Sequence, residues 1–231
     1  MPLPASISPF FYPRSLAIIG SADQDDNMGD LVLGNLVNAG YTGKIFPVNL
    51  KAASILGLPC LRKPDEIPEE DHPLDLAVIC LPLGDCPRAL RACAALPVKA
   101  VLFMRSGFNT NRNHDFDIAK ELLEIAEEAG IALLGPNSLG IVNTSAKLNL
   151  CPQGGLTQTG HIAFFSQSSG FGFAMFSWAK ENNIAFSSFV SLGDRKFLDE
   201  SDLLTFWADD PQTKVIAGYL ENVADGPRFL D

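Results

Sequence analysis

Basic charge is scarce in this sequence. Its 231 residues carry 17 Lys and Arg against 27 Asp and Glu, a formal net charge of -10. No Lys/Arg cluster stands out, and a nucleic-acid binder needs one, so nucleic acid is not an expected partner. Long apolar runs are missing too. Nothing approaches the ~20 residues of a membrane span, and no membrane partner is expected. The opening residues, MPLPASISPFFYPRS, are broken by prolines and lack a basic start, which excludes a signal peptide. The cysteines Cys60, Cys80, Cys86, Cys93 and Cys151 are odd in number and form no CxxC pair. They read as reduced, partly buried thiols, with a cytoplasmic location as the expectation. His72, His114 and His161 have no metal-ligand spacing around them, so no metal is expected.

Several signatures of nucleotide and hydrolase chemistry are also absent. There is no GxGxxG, so a dinucleotide fingerprint is lacking, and an NAD(P)-dependent oxidoreductase is disfavoured. There is no GxxxxGK[ST], which excludes a P-loop NTPase. Ser168 lies in SQSSG rather than GxSxG, so a hydrolase elbow is unsupported.

What is present is an alternation of strand and helix patterns. Hydrophobic residues make up 47% of the chain and charged residues 19%, enough for one good core or two small ones. Strands are expected at Ser15–Gly20 (SLAIIG), Lys44–Val48 (KIFPV), Leu74–Leu81 (LDLAVICL), Val98–Met104 and Ile131–Leu134. Helices are expected at Met28–Ala39, Asp85–Ala95 and His114–Ala129, the first and last closed by Gly40 and Gly130. Strands alternating with helices imply a parallel, Rossmann-like sheet covered on both faces. Gly135–Leu150, richer in Asn, Ser and Thr, reads as a linker. A second block follows, with strands at His161–Phe165, Phe186–Leu192 and Lys214–Leu220 and helices at Gly172–Asn182 and Glu200–Ala208. The expected division is therefore residues 1–149 and 150–231. With three strands, the second block looks partial, as if another segment completed it.

Ligands of such sheets bind beyond the carboxyl ends of the strands. The first strand ends Gly20-Ser21-Ala22, and a helix start follows near Asn27 to Gly29. A small turn there lets helix N–H groups meet a phosphate; an ordinary tight turn gives the same pattern. The second strand ends without a carboxylate, at Val48-Asn49-Leu50-Lys51. Lys51 suits a ribose phosphate, as in NADP or coenzyme A, or is simply a solvated lysine. Ser166-Gln167-Ser168-Ser169-Gly170 precedes a helix and fits either a phosphate site or plain N-capping by serine.

In order along the chain, FFYPRSLAIIGSA, NLVNAGYTGKIFPVNLK, DLAVICLP, SGF, GIALLGPNSLGIVN, HIAFFSQSSG, FVSLGD and DDPQTKVIAGYLE resemble the α-subunit-like half of NDP-forming acyl-CoA synthetases, relatives of succinyl-CoA synthetase. The resemblance implies a coenzyme A-binding Rossmann-like domain followed by a partial flavodoxin-type domain. It implies that Gly20, Ser21, Asn27 and Gly29 hold the coenzyme A diphosphate, and that Val48, Asn49 and Lys51 meet the ribose phosphate. Cys80, Leu81 and Pro82 would line the coenzyme's path, with Ser106, Gly107 and Phe108 at the fourth strand's end and Asn137 and Ser138 near the thiol. Ser166, Gln167, Ser168 and Ser169 would form a phosphate site. Glu221 would be catalytic, holding the histidine that carries the phosphoryl group in the family.

None of the three histidines falls at that position, and no ATP-grasp nucleotide domain is present. The resemblance therefore implies a partner domain or subunit of that kind outside this chain, and a region not competent alone. Ser138 stands where synthetases commonly have Cys, Ser169 where Gly is usual, Asp194 where Asn is usual, and Asn109 where Glu follows SGF. Ser138 and Asp194 also resemble the regulatory region fused to bacterial GNAT lysine acetyltransferases. A CoA or acyl-CoA sensing module with a GNAT domain elsewhere is thus the alternative. The exposed edge of the second domain suggests a partner, and a homo-oligomer is one form that would cover it.

Overall fold

The computed structural model describes residues 7–20, 28–104, 112–153, 158–223 and 225–230. The first half runs β1 (Ser15–Gly20), α1 (Met28–Ala39), β2 (Lys44–Val48), a small hairpin of β3 (Ser54–Ile55) and β4 (Leu58–Pro59), β5 (Leu74–Cys80), α2 (Cys86–Ala94), β6 (Val98–Phe103), α3 (Arg112–Ala129) and β7 (Ala132–Leu134). Five of these strands form one sheet in the order β2-β1-β5-β6-β7, and every pair is parallel.

The sequence explains the layers. Successive residues of a strand point to opposite faces. Leu16 and Ile18 of β1, Leu76 and Val78 of β5 and Leu102 of β6 pack with Val32, Leu33 and Leu36 of α1. Ala17, Ile19, Ala77, Ile79 and Phe103 face the other way, onto Leu90 and Cys93 of α2 and Leu122 of α3. Both faces are covered, so β5 is buried along its whole length and reads as an unbroken apolar run.

The second half runs β8 (Ile141–Asn143), β9 (Leu148–Asn149), β10 (Thr159–Ser166), α4 (Ser169–Glu181), β11 (Phe186–Ser191), α5 (Glu200–Ala208), β12 (Val215–Tyr219) and the short α6 (Gly226–Leu230). Its sheet has the order β12-β10-β11-β8-β9. β10 pairs in parallel with β11 and β12, whereas β8 runs antiparallel to β11 and β9 antiparallel to β8. Two expectations are corrected here. Gly135–Leu150 is not a linker, and the second sheet has five strands of mixed direction rather than three. The polar residues that made the stretch look like a linker satisfy backbone instead. The Asn143 amide donates to the Phe11 carbonyl (3.0 Å), and its oxygen accepts from the Ser145 and Ala146 N–H groups.

The two sheets share a core. Phe10 and Phe11, each about 1% exposed, wedge between them with Leu148, Leu150, Phe165, Val190 and Trp207. Phe11 stacks on Phe206 at 4.4 Å and meets Trp207 edge-on at 5.8 Å. Burying such a side chain contributes ~1.5–3 kcal/mol, so the segment before β1 is a real element of the junction. Asn35 of α1 donates to the Cys151 carbonyl (2.5 Å) and Tyr12 to Asp210 (3.1 Å), which adds polar ties across the same junction. Among the described residues, no helix is long and apolar enough to cross a membrane.

Candidate functional site

In the first sheet the chain goes from β1 outward to β2 and then returns to β5 on the other side of β1. The strand order therefore reverses between β1 and β5, and a crevice opens there at the carboxyl ends. Gly20 and Cys80 are register partners across that opening. A Cβ on Gly20 would lie 3.2 Å from the Cys80 Cβ and 3.6 Å from the Gly29 Cα. The ends of β1 and β5 and the first turn of α1 thus converge closely at Gly20, where the missing side chain lets them do so.

Asn49 sits at the adjacent end of β2, only 6% exposed. Its amide donates to the Gly20 carbonyl (3.1 Å), and its oxygen accepts from the Lys51 and Ala52 N–H groups at 2.8 and 2.9 Å. The backbone N–H of Asn49 donates to Leu61 (2.8 Å). Asn49 is thus a brace. It ties the end of β2 to the end of β1 and folds the turn that presents the exposed Lys51 at the rim. Val48 beneath it is buried. Cys80 is buried, and burial, with Cys86 nearby, pushes its thiol pKa up to about 12. It is a neutral wall group and no nucleophile at neutral pH. Leu81 is half-buried and Pro82 exposed where the chain leaves β5.

The loop after β7 carries Asn137 and Ser138. Ser138 is fully buried; its hydroxyl donates to the Ser191 carbonyl (2.6 Å) and accepts from the Gly140 N–H (3.0 Å). Asn137, in the left-handed region at φ 63°, donates through its amide to Asp194 (3.3 Å). The loop after β11 is pressed against this one. Gly193 has φ 62°, and a Cβ there would lie 2.3 Å from the Pro136 carbonyl oxygen. The residues expected near the coenzyme thiol thus stand where the two halves interlock. Ser21, Asn27, Ser106, Gly107 and Phe108 lie outside the described residues.

The second sheet has its own reversal, between β10 and β12, where Ser166 is register partner of Tyr219. Its turn is closed by its own side chains. The Ser166 hydroxyl donates to the Ser168 carbonyl (2.7 Å) and accepts from the Ser168 N–H. Ser168 caps α4 by accepting from the Phe171 N–H (3.3 Å). The Gln167 oxygen accepts from the Glu221 and Asn222 N–H groups at 2.7 and 3.3 Å, and its amide donates to the Asn222 carbonyl (2.8 Å). Ser169 opens the helix as its first residue. The turn thus sits at the positive end of the α4 dipole, with the Ser166 hydroxyl engaged by the Ser168 backbone. Glu221 is exposed just past β12, with its backbone held by Gln167.

Sequence reasoning missed three residues in this neighbourhood. Arg195 pairs with Glu200 (2.8 Å) and also donates to the carbonyl of Asn222 (3.1 Å) and to its side-chain oxygen. No local pattern marks them; Glu200 looks like an ordinary charged residue at a helix start, yet it is 1% exposed. Two cavities, of about 580 and 730 Å3, open around Tyr12 and touch none of the expected site residues. The second lies at the amino ends of the first sheet's strands, away from the reversal. We place the site at the reversal because fold chemistry, not cavity size, locates it.

The small residue Gly20 at the reversal, with an exposed Lys51 at the end of the neighbouring strand, is compatible with a phosphate-bearing ligand such as coenzyme A. Comparisons with known proteins agree. Residues 14–144 match the family described as CoA binding domain, and residues 159–231 match the succinyl-CoA ligase like flavodoxin domain. The chain is 38% identical over 220 residues to acetate–CoA ligase [ADP-forming] I of Archaeoglobus fulgidus, covering 95% of this chain and 31% of that protein. It is 36% identical over 230 residues to the α subunit of acetate–CoA ligase [ADP-forming] I of Pyrococcus furiosus, covering 98% and 49%. The solved dinucleotide-forming acetyl-coenzyme A synthetase 1 of Ca. Korarchaeum cryptofilum, in complex with phosphate and ADP, superimposes with a TM-score of 0.88 at 33% identity, over 97% of this chain and 48% of that one. The chain thus spans between a third and half of the length of the relatives it matches. It belongs to the CoA-binding domain family, and carries that domain together with a succinyl-CoA ligase-like domain in the region it shares with ADP-forming acyl-CoA synthetases.

Proposed function

We propose that this chain is the coenzyme A-binding part of an ADP-forming acyl-CoA synthetase, which interconverts acyl-CoA, ADP and phosphate with the free acid, ATP and coenzyme A. The observation that carries the reading is the crevice at the first strand-order reversal. There Gly20 and Gly29, beside Cys80, would receive the diphosphate, and Lys51, in the turn braced by Asn49, would meet the ribose phosphate; the close approach at Gly20 and the Asn49 hydrogen bonds support this reading. Ser21 and Asn27 would complete the diphosphate site, and Ser106, Gly107 and Phe108 the wall beside it. Coenzyme A supplies the thiol that accepts or releases the acyl group. The chain's own residues bind and orient that thiol toward the loop of Asn137 and Ser138. The Ser138 hydroxyl is occupied by Ser191 and Gly140, so it shapes the loop and transfers no proton.

Phosphate would lie at the start of α4, bound by backbone N–H groups that Ser166, Gln167 and Ser168 hold in place. Glu221 would accept a hydrogen bond from the imidazole that carries the phosphoryl group, a histidine outside these 231 residues. An ATP-grasp domain or subunit would supply the nucleotide site. The relatives named above are ligases, and this favours the synthetase over a CoA-sensing module of an acetyltransferase.

Isothermal titration with coenzyme A, with NADP as control, tests the first half of the reading. Micromolar binding of coenzyme A without NADP is the expected result; NADP binding in its place would overturn it.

A further inference from the structure

We infer that Arg195 is the positioning residue of the second site: it fixes the turn that carries Glu221 by joining the three loops at the carboxyl edge of the second sheet. The inference rests on the phosphoryl-transfer role proposed for that turn. Glu221 and Asn222 follow β12, which among the described residues pairs with β10, and both are exposed. An exposed turn has little packing to define it, and a carboxylate that must meet an imidazole needs its backbone fixed to within a fraction of an ångström. Two side chains from neighbouring loops do this. Gln167, after β10, brackets the Glu221–Asn222 backbone with three hydrogen bonds. Arg195, after β11, reaches the same Asn222 with its guanidinium, at both the carbonyl and the side-chain oxygen.

Arg195 can serve as a strut because its other contact is rigid. Its Nη1 lies 3.0 and 2.8 Å from the two carboxylate oxygens of Glu200. The Glu200 side chain is 1% exposed and that of Arg195 is 13% exposed, so the pair is shielded from solvent. Glu200 opens α5, whose start is fixed by a reciprocal cap between Asp199 and Asp202. Arg228 of α6 clamps the same two aspartates at 3.0 and 2.5 Å. The backbone of Arg195 itself is left-handed, at φ 48°. A non-glycine residue accepts that cost only when its surroundings hold it there. Here the restraint comes at one end from the loop lock of Asp194 N–H on the Pro136 carbonyl (3.0 Å) and at the other from Glu200. Arginine suits the task where lysine does not, since a planar fork can satisfy a carboxylate and an amide together.

The test combines two variants with two measurements. Arg195→Lys keeps a charge for Glu200 and loses the fork. Arg195→Gln with Glu200→Gln removes both charges, so that no lone carboxylate is left buried and the fold survives. In the 231-residue chain, both should speed amide exchange at Glu221 and Asn222 about tenfold, while exchange along α5 and coenzyme A affinity stay within twofold of the parent. In the synthetase assembled with its ATP-grasp partner, Arg195→Lys should lower kcat for ATP formation from acetyl-CoA, ADP and phosphate about tenfold and leave the KM for acetyl-CoA unchanged. Unaltered exchange at both amides in both variants overturns the inference, as does faster exchange with an unaltered kcat. If the parent assembly itself forms no ATP, the phosphoryl-transfer reading falls and takes the positioning role with it, whatever the exchange shows.

Discussion

β1 ends in Gly20, a residue without a side chain, and β10 ends in Ser166, whose hydroxyl is used up by its own turn. The same contrast runs along both carboxyl edges. At the first sheet, strand ends converge on a mouth at Gly20, and the buried Asn49 beside it points its bonds at backbone. At the second, Ser166, Gln167, Ser168 and Arg195 stitch the loops to one another. An open mouth suits a long cofactor that enters and leaves whole. A stitched edge suits a small anion bound by fixed backbone N–H groups, because order is then supplied before the anion arrives.

Substitutions can break or sharpen this contrast. The largest effect is expected at the seam. Gly193→Ala puts a Cβ 2.3 Å from the Pro136 oxygen at a left-handed position, and should cost ~3–5 kcal/mol in urea unfolding, the range of severe core damage. A comparably small loss would show that the two loops separate easily. Gly20→Ala has one tight neighbour, the Cys80 Cβ at 3.2 Å, with the Gly29 Cα and the Cys80 carbonyl oxygen at ordinary contact distances of 3.6 and 3.7 Å. It should cost ~1 kcal/mol of stability or less, a mild case of overpacking, but weaken coenzyme A more than tenfold. Equal damage to fold and binding would erase the distinction between an open and a stitched edge.

At the amino ends of the first sheet lies a built ion cluster. Buried Asp75 accepts from Lys99 (2.6 Å) and from the Arg14 N–H (2.8 Å). Burial alone would raise its pKa, but these bonds more than reverse that and hold the carboxyl below its ordinary value. With the folded pKa depressed, its stabilisation is present above the unfolded value of ~3.9 and is lost as pH falls through the folded one. Asp75→Asn should therefore cost ~1–2 kcal/mol at pH 7, a cost that shrinks as pH falls below ~3.9, measured as unfolding free energy against pH. The smallest effect is local to one ligand atom group. Lys51→Ala should weaken coenzyme A by ~1 kcal/mol, at the low end for a charge-assisted contact on an exposed side chain. Dephospho-coenzyme A should bind as before; equal weakening of both ligands would reject the assignment.

The strands of the first sheet were legible because each is a short apolar run between polar turns, as SLAIIG and LDLAVIC show. The candidate site was read from a glycine at one strand end and a lysine at the next, which have a chemical meaning in this fold. What stayed hidden is polar and non-local. β8 and β9 carry Asn143 and Asn149, whose side chains satisfy backbone in the buried sheet, so composition suggested an exposed connection. The role of Asn49 as a brace depends on Gly20, 29 residues earlier, and that of Arg195 on Asn222, 27 residues later. No window along the chain brings those pairs together. Ser166 and Ser168 admit two readings, as phosphate ligands or caps; the Ser168 side chain caps α4 and that of Ser166 bonds the Ser168 backbone.

The mixed sheet bears on how the molecule can be dissected. Because β8 and β9 complete the second sheet, a cut at residue 150 would strip β11 of its outer neighbour and expose a hydrogen-bonding edge built from Val190 and Phe189. Unpaired apolar edges of that kind seed aggregation. A cut just before Gly140, where a Cβ would lie 2.3 Å from the Leu150 carbonyl oxygen, would instead leave both sheets whole.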